Sequence, residues 1–189
     1  MSGYSFKIDT GLVLPYAEKL KRSLYTYFES VCICGSIRRE CEKVGDVDIV
    51  VVDDYDLDIN LYKIIKDTFN TDVKIVQELC QNKRSRYSCK FDNIPVPLDF
   101  DIWVTNKKTL GSGILYATGP GLSNVVMRRW ARYNNMSLSF EGVFDKDNNL
   151  IASKTEKECC NVLGWDYVKP QFRFKDDRYF GKYLDIMNK

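Results

Sequence analysis

The segment Asp46–Val52 constrains the fold most, because its apolar residues alternate with Asp46 and Asp48 before it becomes wholly apolar. Such alternation is typical of a β-strand with one buried face. Side chains two residues apart in a strand point to the same side, so Asp46 and Asp48 project together. Carboxylates held close together repel each other and raise each other's pKa. A divalent cation relieves that repulsion, and Mg²⁺ prefers carboxylate oxygens combined with phosphate and water.

The dipeptide Gly35-Ser36, upstream of these carboxylates, indicates a phosphate contact. Glycine allows the backbone to approach a phosphate closely, and a following helical turn presents N–H groups. The Ser36 hydroxyl and the Arg39 guanidinium are further donors in the same segment. A third carboxylate is available on another predicted strand, where Asp99 and Asp101 share a strand face.

Three carboxylates suit nucleotidyl transfer, in which a 3′ hydroxyl attacks a triphosphate and displaces pyrophosphate. One metal ion lowers the pKa of the attacking hydroxyl, and a second neutralises the triphosphate and the leaving group. The two ions sit about 3.5–4 Å apart, with two carboxylates bridging them and a third holding the catalytic ion. Such a site requires no histidine base.

The composition excludes several other classes of enzyme. The sequence contains no histidine, which removes Cys/His zinc sites, histidine general bases and Ser-His-Asp triads. Apolar residues make up 44% and charged residues 29% of the chain, as expected for a globular protein with a packed core. The seven cysteines lack the spacing of a disulfide framework. No apolar run is long enough to predict a membrane span, and the N-terminus does not have the features of a signal peptide.

The pattern along the chain predicts an α+β fold in two parts, residues 1–105 and residues 106–189. The pattern predicts a mixed sheet with helices in the first part, and helices with a short sheet in the second. Predicted helices cover residues 12–30, 57–69, 107–117, 122–133 and 155–163, the last with a capping-box start at Thr155 and Glu158. Predicted strands cover residues 31–34, 46–52, 72–79, 86–91, 95–104, 137–140 and 150–152. A basic hairpin is predicted at residues 81–85.

Residues 102–140 carry five basic side chains and no acidic one. This one-sign surface can contact phosphates, or it can be an ordinary solvated helix face. Within it, Asn124, Arg128 and Arg132 recur every four residues and share one helix face. Apolar residues elsewhere on that helix are predicted to be buried, namely Leu122, Val125, Val126, Trp130 and Tyr133.

Two separated motifs resemble those of family X DNA polymerases. The stretch Cys34-Gly-Ser-Ile-Arg-Arg-Glu, followed by Val44-Gly-Asp-Val-Asp48, is similar to the nucleotidyltransferase signature of that family. Tyr116-Ala-Thr-Gly-Pro120, followed by Asn124 and Arg128-Arg-Trp-Ala131, resembles the family's Tyr-Phe-Thr-Gly segment and the helix after it. The similarity runs from about residue 31 to residue 170.

The resemblance implies a nucleotidyltransferase-type palm followed by a small thumb-like lobe. It implies that Asp46 and Asp48 bind two Mg²⁺ ions, or alternatively Mn²⁺, and that Asp99 rather than Asp101 is the third ligand. The expected nucleotide-binding residues are Gly35, Ser36, Arg39 and Gly45 for the triphosphate, Tyr116 and Gly119 for the sugar, and Asn124 for the minor-groove edge. The expected DNA-binding residues are Arg128 for the template strand, Arg132, and the hairpin residues Lys83, Arg84 and Arg86.

The implied activity is template-directed addition of dNTPs to a primer 3′ end, filling short gaps in base excision repair. The expected partners are gapped or primer-template DNA and dNTPs, with a monomeric protein and no membrane. Two alternatives stay open, a template-independent nucleotidyltransferase and a non-catalytic DNA-binding module. The Tyr116–Arg128 similarity opposes the first, and the three aspartates oppose the second.

The sequence departs from the family pattern in three respects: at Ala117, in length, and at Asp101, where the family often has a basic or an apolar residue. Ala117 stands where the family has an aromatic residue beside the tyrosine, which affects sugar selectivity. Only 34 residues precede Gly35, so we expect neither a lyase domain nor a second DNA-binding domain. In this the chain resembles minimal viral members, which implies an intracellular location in cytoplasm or nucleus, or in virions. Cys80 and Cys89 flank the basic hairpin and can pair across it as a disulfide, but in a reducing compartment we expect them to remain thiols.

Overall fold

The computed structural model describes residues 6–55, 59–77 and 84–173. The chain forms two compact units, Met1–Thr105 and Asn106–Lys189. The first unit holds a five-stranded sheet, and the second holds a three-stranded sheet. Among the described residues, no helix is both long and apolar enough to cross a membrane.

A mixed sheet forms the centre of the first unit. Its strands are β2 (Ser30–Ile33), β4 (Asp46–Val52), β5 (Val73–Gln77), β6 (Arg84–Cys89) and β7 (Leu98–Thr105). They are arranged in the order β2-β4-β7-β6-β5, with β4 and β7 parallel and the other neighbours antiparallel. A separate short pair joins β1 (Ile8–Asp9) to β3 (Lys43–Val44).

Three helices belong to the first unit: α1 (Thr10–Leu24), α2 (Gly35–Arg38) and α3 (Leu61–Phe69). The Asp9 side chain caps α1 by accepting a hydrogen bond from the Gly11 N–H at 2.8 Å. The buried residues of α1 recur at helical spacing, namely Val13, Ala17, Leu20 and Leu24. Asn70 ends α3 in a left-handed conformation with φ 49°, a role that asparagine tolerates well.

The core of the first unit lies on one face of the sheet. Val47 and Ile49 of β4 are fully buried and are paired across the ladder with Phe100 and Ile102 of β7. Four rings extend this core, with Phe69 packing against Tyr16, Phe91 and Phe100 at centroid distances of 5.2–6.0 Å. Because side chains alternate along a strand, the residues between these apolar positions face the other side of the sheet.

The second unit begins with α4 (Leu110–Thr118) and α5 (Gly121–Tyr133). An antiparallel sheet follows, made of β8 (Ser137–Ser139), β9 (Gly142–Phe144) and β10 (Leu150–Ala152). The helix α6 (Glu156–Val162) starts with the predicted capping box: the Thr155 hydroxyl accepts from the Glu158 N–H at 3.0 Å, and the Glu158 carboxylate reaches back. A short 3₁₀ turn, Pro170–Phe172, ends the described part of this unit.

The predicted burial of α5 is partly wrong. Its buried residues are Ser123, Val126, Met127 and Ala131. Of the predicted core, Val126 is buried, but Leu122, Val125 and Tyr133 are 46%, 44% and 57% exposed. The buried stripe follows i, i+3, i+4, i+8 spacing and is centred on a methionine flanked by small residues, which a search for large apolar side chains overlooks.

Element bounds also differ from the predictions in places. The strand 46–52 agrees with β4, whereas α1 ends at Leu24, six residues before the predicted end. Arg84 and Ser85 begin β6 and do not form a hairpin turn, and residues 81–83 lie outside the described ranges. The strands β1, β3 and β9, of two or three residues each, were not predicted.

Candidate active site

Acidic side chains from two parallel strands lie side by side on one face of the sheet. Asp46 of β4 is the ladder partner of Asp99 of β7, and Asp48 is the partner of Asp101. These positions alternate with the buried Val47 and Phe100, so the four carboxylates point away from the apolar core. The parallel β4–β7 register therefore brings together residues that are more than fifty positions apart in the sequence.

The surroundings of β4 disfavour the charged forms of both its aspartates. Burial is the largest cause that raises the pKa of Asp46, the negative charge of Asp101 adds to it, and Arg86 opposes it. Burial likewise raises the pKa of Asp48 to about 7, with Asp46 and Asp101 contributing by repulsion. The raised pKa values show that the positive charge nearby does not fully offset the burial and mutual repulsion of these carboxylates. A bound cation would stabilise their charged forms.

Gly35 lies directly against Asp48. Its φ is +58°, and a Cβ at this position would overlap Asp48 Oδ2 and lie 2.9 Å from Asp48 Cγ. The Cys34 N–H donates to the Asp48 carbonyl at 2.7 Å, which fixes the start of α2 beside β4. Only glycine meets both the backbone and the space requirement here.

The remaining predicted triphosphate contacts flank this point. Ser36 is the second residue of α2, and Arg39 follows the last residue of that helix. The Ser36 carbonyl accepts from the Cys41 N–H at 3.1 Å, which closes the turn after α2. Gly45 lies between β3 and β4, immediately before Asp46. Ser36, Arg39 and Gly45 therefore lie on segments that adjoin the Asp46–Asp48 end of β4.

Two arginines of β6 are engaged by Asp101. The Asp101 side chain is only 1% exposed, and it accepts hydrogen bonds from Arg84 and from Nε and Nη2 of Arg86, the latter two at 2.6 Å. Arg84 also lies over the Trp103 ring at 4.8 Å from its centroid. Asp101 is thus held by two guanidinium groups, whereas Asp99 keeps a half-exposed side chain.

The same guanidinium of Arg86 also reaches the two partnered aspartates. Arg86 Nη2 lies 3.5 Å from Asp46 Oδ2, and Arg86 Nη1 lies 4.0 Å from Asp99 Oδ2. The sequence predicted a DNA contact for Arg84 and Arg86, and that contact stays a prediction beside these internal ion pairs. Lys83 lies outside the described residues, as does Cys80, the predicted neighbour of the buried Cys89.

The donor set fits a divalent metal ion in its chemistry. Asp46, Asp48 and Asp99 offer hard oxygen ligands on one sheet face, and Asp46 and Asp99 already converge on a positive charge, the Arg86 guanidinium. Within residues 6–55, 59–77 and 84–173, no three His, Cys, Asp or Glu side chains are arranged as a ready-made metal site. Metal binding there requires the side chains to move closer together.

The predicted nucleotide contacts of the second unit cluster at the α4–α5 junction. The Asn124 side chain donates to the Tyr116 carbonyl at 2.7 Å, and the Tyr116 ring packs edge-on against Phe140 at 6.1 Å. Gly119 has φ +62°, and the Gly119–Pro120 peptide is cis. These bonds fix Tyr116, Gly119 and Asn124 relative to one another within this unit.

Arg173 supports this junction and was not predicted from the sequence. It is 2% exposed, pairs with Glu156 at 2.7 Å, and donates to the carbonyls of Val168 at 3.1 Å and Gly119 at 3.2 Å. Nothing in the sequence around residue 173 indicates burial, because its partners come from separate segments of the chain. Its contact with Gly119 ties the end of the described chain to the α4–α5 turn.

The predicted basic face of α5 is accessible. Arg128 and Arg132 are exposed and lie one helical turn apart. Asn124, one turn before Arg128, is half-buried. One stripe of α5 therefore carries Asn124 at the α4–α5 junction and the two exposed arginines further along the helix.

A family model matches part of the second unit. Residues 113–174 are similar to the DNA polymerase beta thumb. The fold of the chain is similar to that of Leishmania infantum polymerase beta in the crystal structure of its ternary P/T complex, with a TM-score of 0.70 and 19% identity. The similarity covers 89% of this chain and 77% of that chain. No curated protein matches the chain in sequence.

These comparisons confirm the resemblance to family X DNA polymerases and the expected α+β fold. The thumb match includes Tyr116, Gly119, Asn124, Arg128 and Arg132. The structural similarity concerns the fold, since the two sequences are 19% identical. A viral origin stays a prediction.

Proposed function

We propose that this chain is a DNA-directed DNA polymerase that adds dNTPs to a primer 3′ end by two-metal nucleotidyl transfer. The observation that carries the proposal is the ladder pairing of Asp46 with Asp99, with Asp48 on the same face and packed against Gly35. The similarity of residues 113–174 to the DNA polymerase beta thumb supports DNA synthesis over other nucleotidyl transfers. The proposed roles of the two units are a palm at 1–105 and a thumb at 106–189.

In this proposal Asp46, Asp48 and Asp99 hold two Mg²⁺ ions. Such ions, when bound, lower the pKa of the primer 3′ hydroxyl and neutralise charge on the triphosphate and the leaving pyrophosphate. The chain's own contribution is position: strand register sets the spacing of Asp46 and Asp99, and Gly35 leaves room for Asp48. Gly35, Ser36, Arg39 and Gly45 are proposed to bind the triphosphate through N–H, hydroxyl and guanidinium donors.

The thumb residues are proposed to bind the nucleotide and the duplex. Tyr116 and Gly119 flank the sugar, and Asn124 reaches the minor-groove edge of the incoming nucleotide. Arg128 and Arg132 bind backbone phosphates, a contact that carries affinity without sequence preference. Ala117 is buried on α4, so the side chain next to Tyr116 offers no ring against the sugar.

The biological role that we propose is the filling of short gaps in base excision repair. The Leishmania infantum polymerase beta structure is that of a ternary P/T complex, which supports primer-template DNA as the partner of this chain as well. A soluble monomer in an intracellular compartment is the corresponding expectation.

Primer extension on DNA with a short gap tests the proposal. The full chain, all four dNTPs and Mg²⁺ or Mn²⁺ should give templated products on the gapped duplex and none on the single strand. Asp99→Asn should abolish extension while leaving DNA affinity within about twofold, because it removes one metal ligand and no predicted DNA contact. The matched control is Asp67→Asn on the exposed side of α3, which should keep wild-type activity.

The outcomes separate the alternatives. Extension of a single strand without regard to template would instead support a template-independent nucleotidyltransferase. DNA binding without extension under either metal would support a non-catalytic module. Full activity of Asp99→Asn would refute the assignment of the third ligand.

A further inference from the structure

Four carboxylates and two guanidinium groups form one charge cluster on the open face of the first unit's sheet. Arg86 is the ladder partner of Asp101, and Asp101 is in turn the ladder partner of Asp48. Arg86 is therefore carried by a strand that has no proposed metal ligand, yet its side chain extends over β7 to Asp46 on β4. Apart from the predicted DNA contact, the proposed polymerase chemistry gives this arginine no role.

We propose that Arg86 is the resident counter-cation of the candidate metal site, anchored by Asp101 and neutralising Asp46 and Asp99 until a divalent cation takes their carboxylates. This inference rests on the proposed function, because it concerns the same aspartates. It assigns Asp101 the role of an anchor and not that of a ligand.

The geometry distinguishes the anchor from the exchangeable contacts. Arg86 Nε and Nη2 both donate to Asp101 at 2.6 Å, a two-point contact that fixes the plane of the guanidinium. Its contacts with Asp46 and Asp99 are longer, 3.5 and 4.0 Å, and each uses one carboxylate oxygen. A cation can therefore displace the longer contacts while the bond to Asp101 persists.

Burial explains why the anchor stays in place. Asp101 is 1% exposed, and a buried carboxylate requires paired charge and hydrogen bonds. Arg84 and Arg86 supply both, so leaving Asp101 would be costly for Arg86. Asp46 and Asp99, which are 37% and 32% exposed, can exchange one cation for another without leaving a buried charge unpaired.

The charge balance predicts opposite effects for the two members of the pair. Arg86→Met removes a positive charge within 4.0 Å of Asp46 and Asp99, so a cation should bind these carboxylates more tightly. Asp101→Asn keeps the Arg86 charge and removes the charge that balances it, so a cation should bind more weakly. The double variant removes one charge of each sign and should return close to wild type.

Titration of chelator-treated full-length protein with MnCl₂ measures these effects, with free Mn²⁺ followed by electron paramagnetic resonance at low ionic strength. We expect Arg86→Met to lower the Mn²⁺ dissociation constant by about tenfold or more, and Asp101→Asn to raise it by a similar factor. The double variant should lie within about threefold of wild type, and Arg86→Lys, which keeps the charge, should do the same.

A purely structural role makes a different prediction. If Arg86 only held the fold together, both single variants would weaken Mn²⁺ binding and the double variant would be the weakest, which would overturn the inference. Circular dichroism and thermal unfolding in chelator establish that each variant is folded, and Arg86→Lys provides the test if Arg86→Met does not fold. A loss of Mn²⁺ affinity in Arg86→Lys would count against a counter-cation.

The polymerase proposal and this inference fail in distinguishable ways. Gap filling by wild type with no opposite shifts in the single variants would refute the role of Arg86 and leave the polymerase proposal intact. No Mn²⁺ binding by wild type, together with no extension, would refute both. Asp99→Asn, which removes a proposed ligand, should weaken Mn²⁺ binding whatever the role of Arg86.

Discussion

The carboxylate of Asp48 occupies the space that a side chain at Gly35 would need. Oδ2 of Asp48 would overlap a Cβ at position 35, and Gly35 has φ +58°, a backbone conformation that residues with side chains rarely adopt. The conformation at the start of α2 and the position of the Asp48 side chain therefore depend on each other. The glycine in the sequence motif is explained by this contact as much as by any phosphate.

Gly35→Ala should therefore damage both stability and activity. The positive φ and the displacement of Asp48 should together lower the free energy of unfolding by roughly 1–3 kcal/mol. Urea unfolding measures the first effect, and gap-filling kcat, which should fall by more than about tenfold, measures the second. Gly121→Ala is the matched control, since no atom lies within 4 Å of a Cβ there. It should be neutral or slightly stabilising.

Arg173→Met should destabilise the second unit. The change leaves Glu156, 10% exposed, without its ion pair and removes the hydrogen bond to the Gly119 carbonyl. Breaking a buried pair by removing one partner costs roughly 3–5 kcal/mol, which thermal or urea unfolding will detect. Adding Glu156→Gln should recover part of the loss, because it removes the negative charge that the Arg173 guanidinium no longer balances. The exposed Lys157→Ala should change the free energy of unfolding by less than about 0.5 kcal/mol.

Arg128→Ala combined with Arg132→Ala should weaken DNA binding without altering the preference among sequences. Both side chains are exposed on α5, and phosphate contacts carry affinity rather than sequence information. Each lost phosphate contact should reduce the slope of log affinity against log salt by about 0.9, or about 2 for the pair. Fluorescence anisotropy over a salt series measures the slope. Lys154→Ala, also exposed in the second unit, should leave the slope unchanged. An unchanged slope in the double variant would exclude these arginines from the interface.

Buried thiols should be slow to react with iodoacetamide. Burial raises the pKa of Cys89 and of Cys159 to about 12 and that of Cys160 to about 11, so few of these thiols ionise near neutral pH. Mass spectrometry should show that Cys32 and Cys41, which are half-buried, are alkylated before Cys89, Cys159 and Cys160.

The same thiols give a pH dependence with a defined sign. The folded state keeps Cys159 protonated above its ordinary pKa of 9.0, whereas the unfolded state releases the proton. The stability that this thiol contributes is therefore complete below pH 9.0 and is lost as the pH rises toward about 12. Urea unfolding over this range should show the decline, and Cys159→Ala should reduce its slope.

Periodicity predicted those parts of the fold in which one face is strongly apolar. β4 was predicted over Asp46–Val52 because buried residues alternate with aspartates, and α6 because Thr155 and Glu158 form a recognisable cap. The four-residue spacing of Asn124 and Arg128 predicted that they share one face of α5, but it did not predict which face of the helix is buried. The answer depends on Met127 and on small residues packing against the rest of the second unit.

Long-range pairing limited what could be predicted about the site. The choice between Asp99 and Asp101 could not be made from the residues alone, because both share a strand face. The β6–β7 register decides which carboxylate meets Arg86, and no local pattern encodes that register. Arg173 escaped notice for the same reason, since its contacts with Glu156 and Gly119 join segments distant in sequence.

The parallel ladder between β4 and β7 makes the acidic face sensitive to chain length as well as to composition. Deleting one residue inside β7, ahead of Asp99, would turn the strand over and exchange the outward aspartates for Phe100 and its apolar neighbours. Such a deletion would remove no charged side chain, yet the aspartates of β7 would no longer lie on the same sheet face as those of β4. The number of residues in β7 is therefore constrained as well as their identity, and insertions and deletions should be confined to the loops outside the strand.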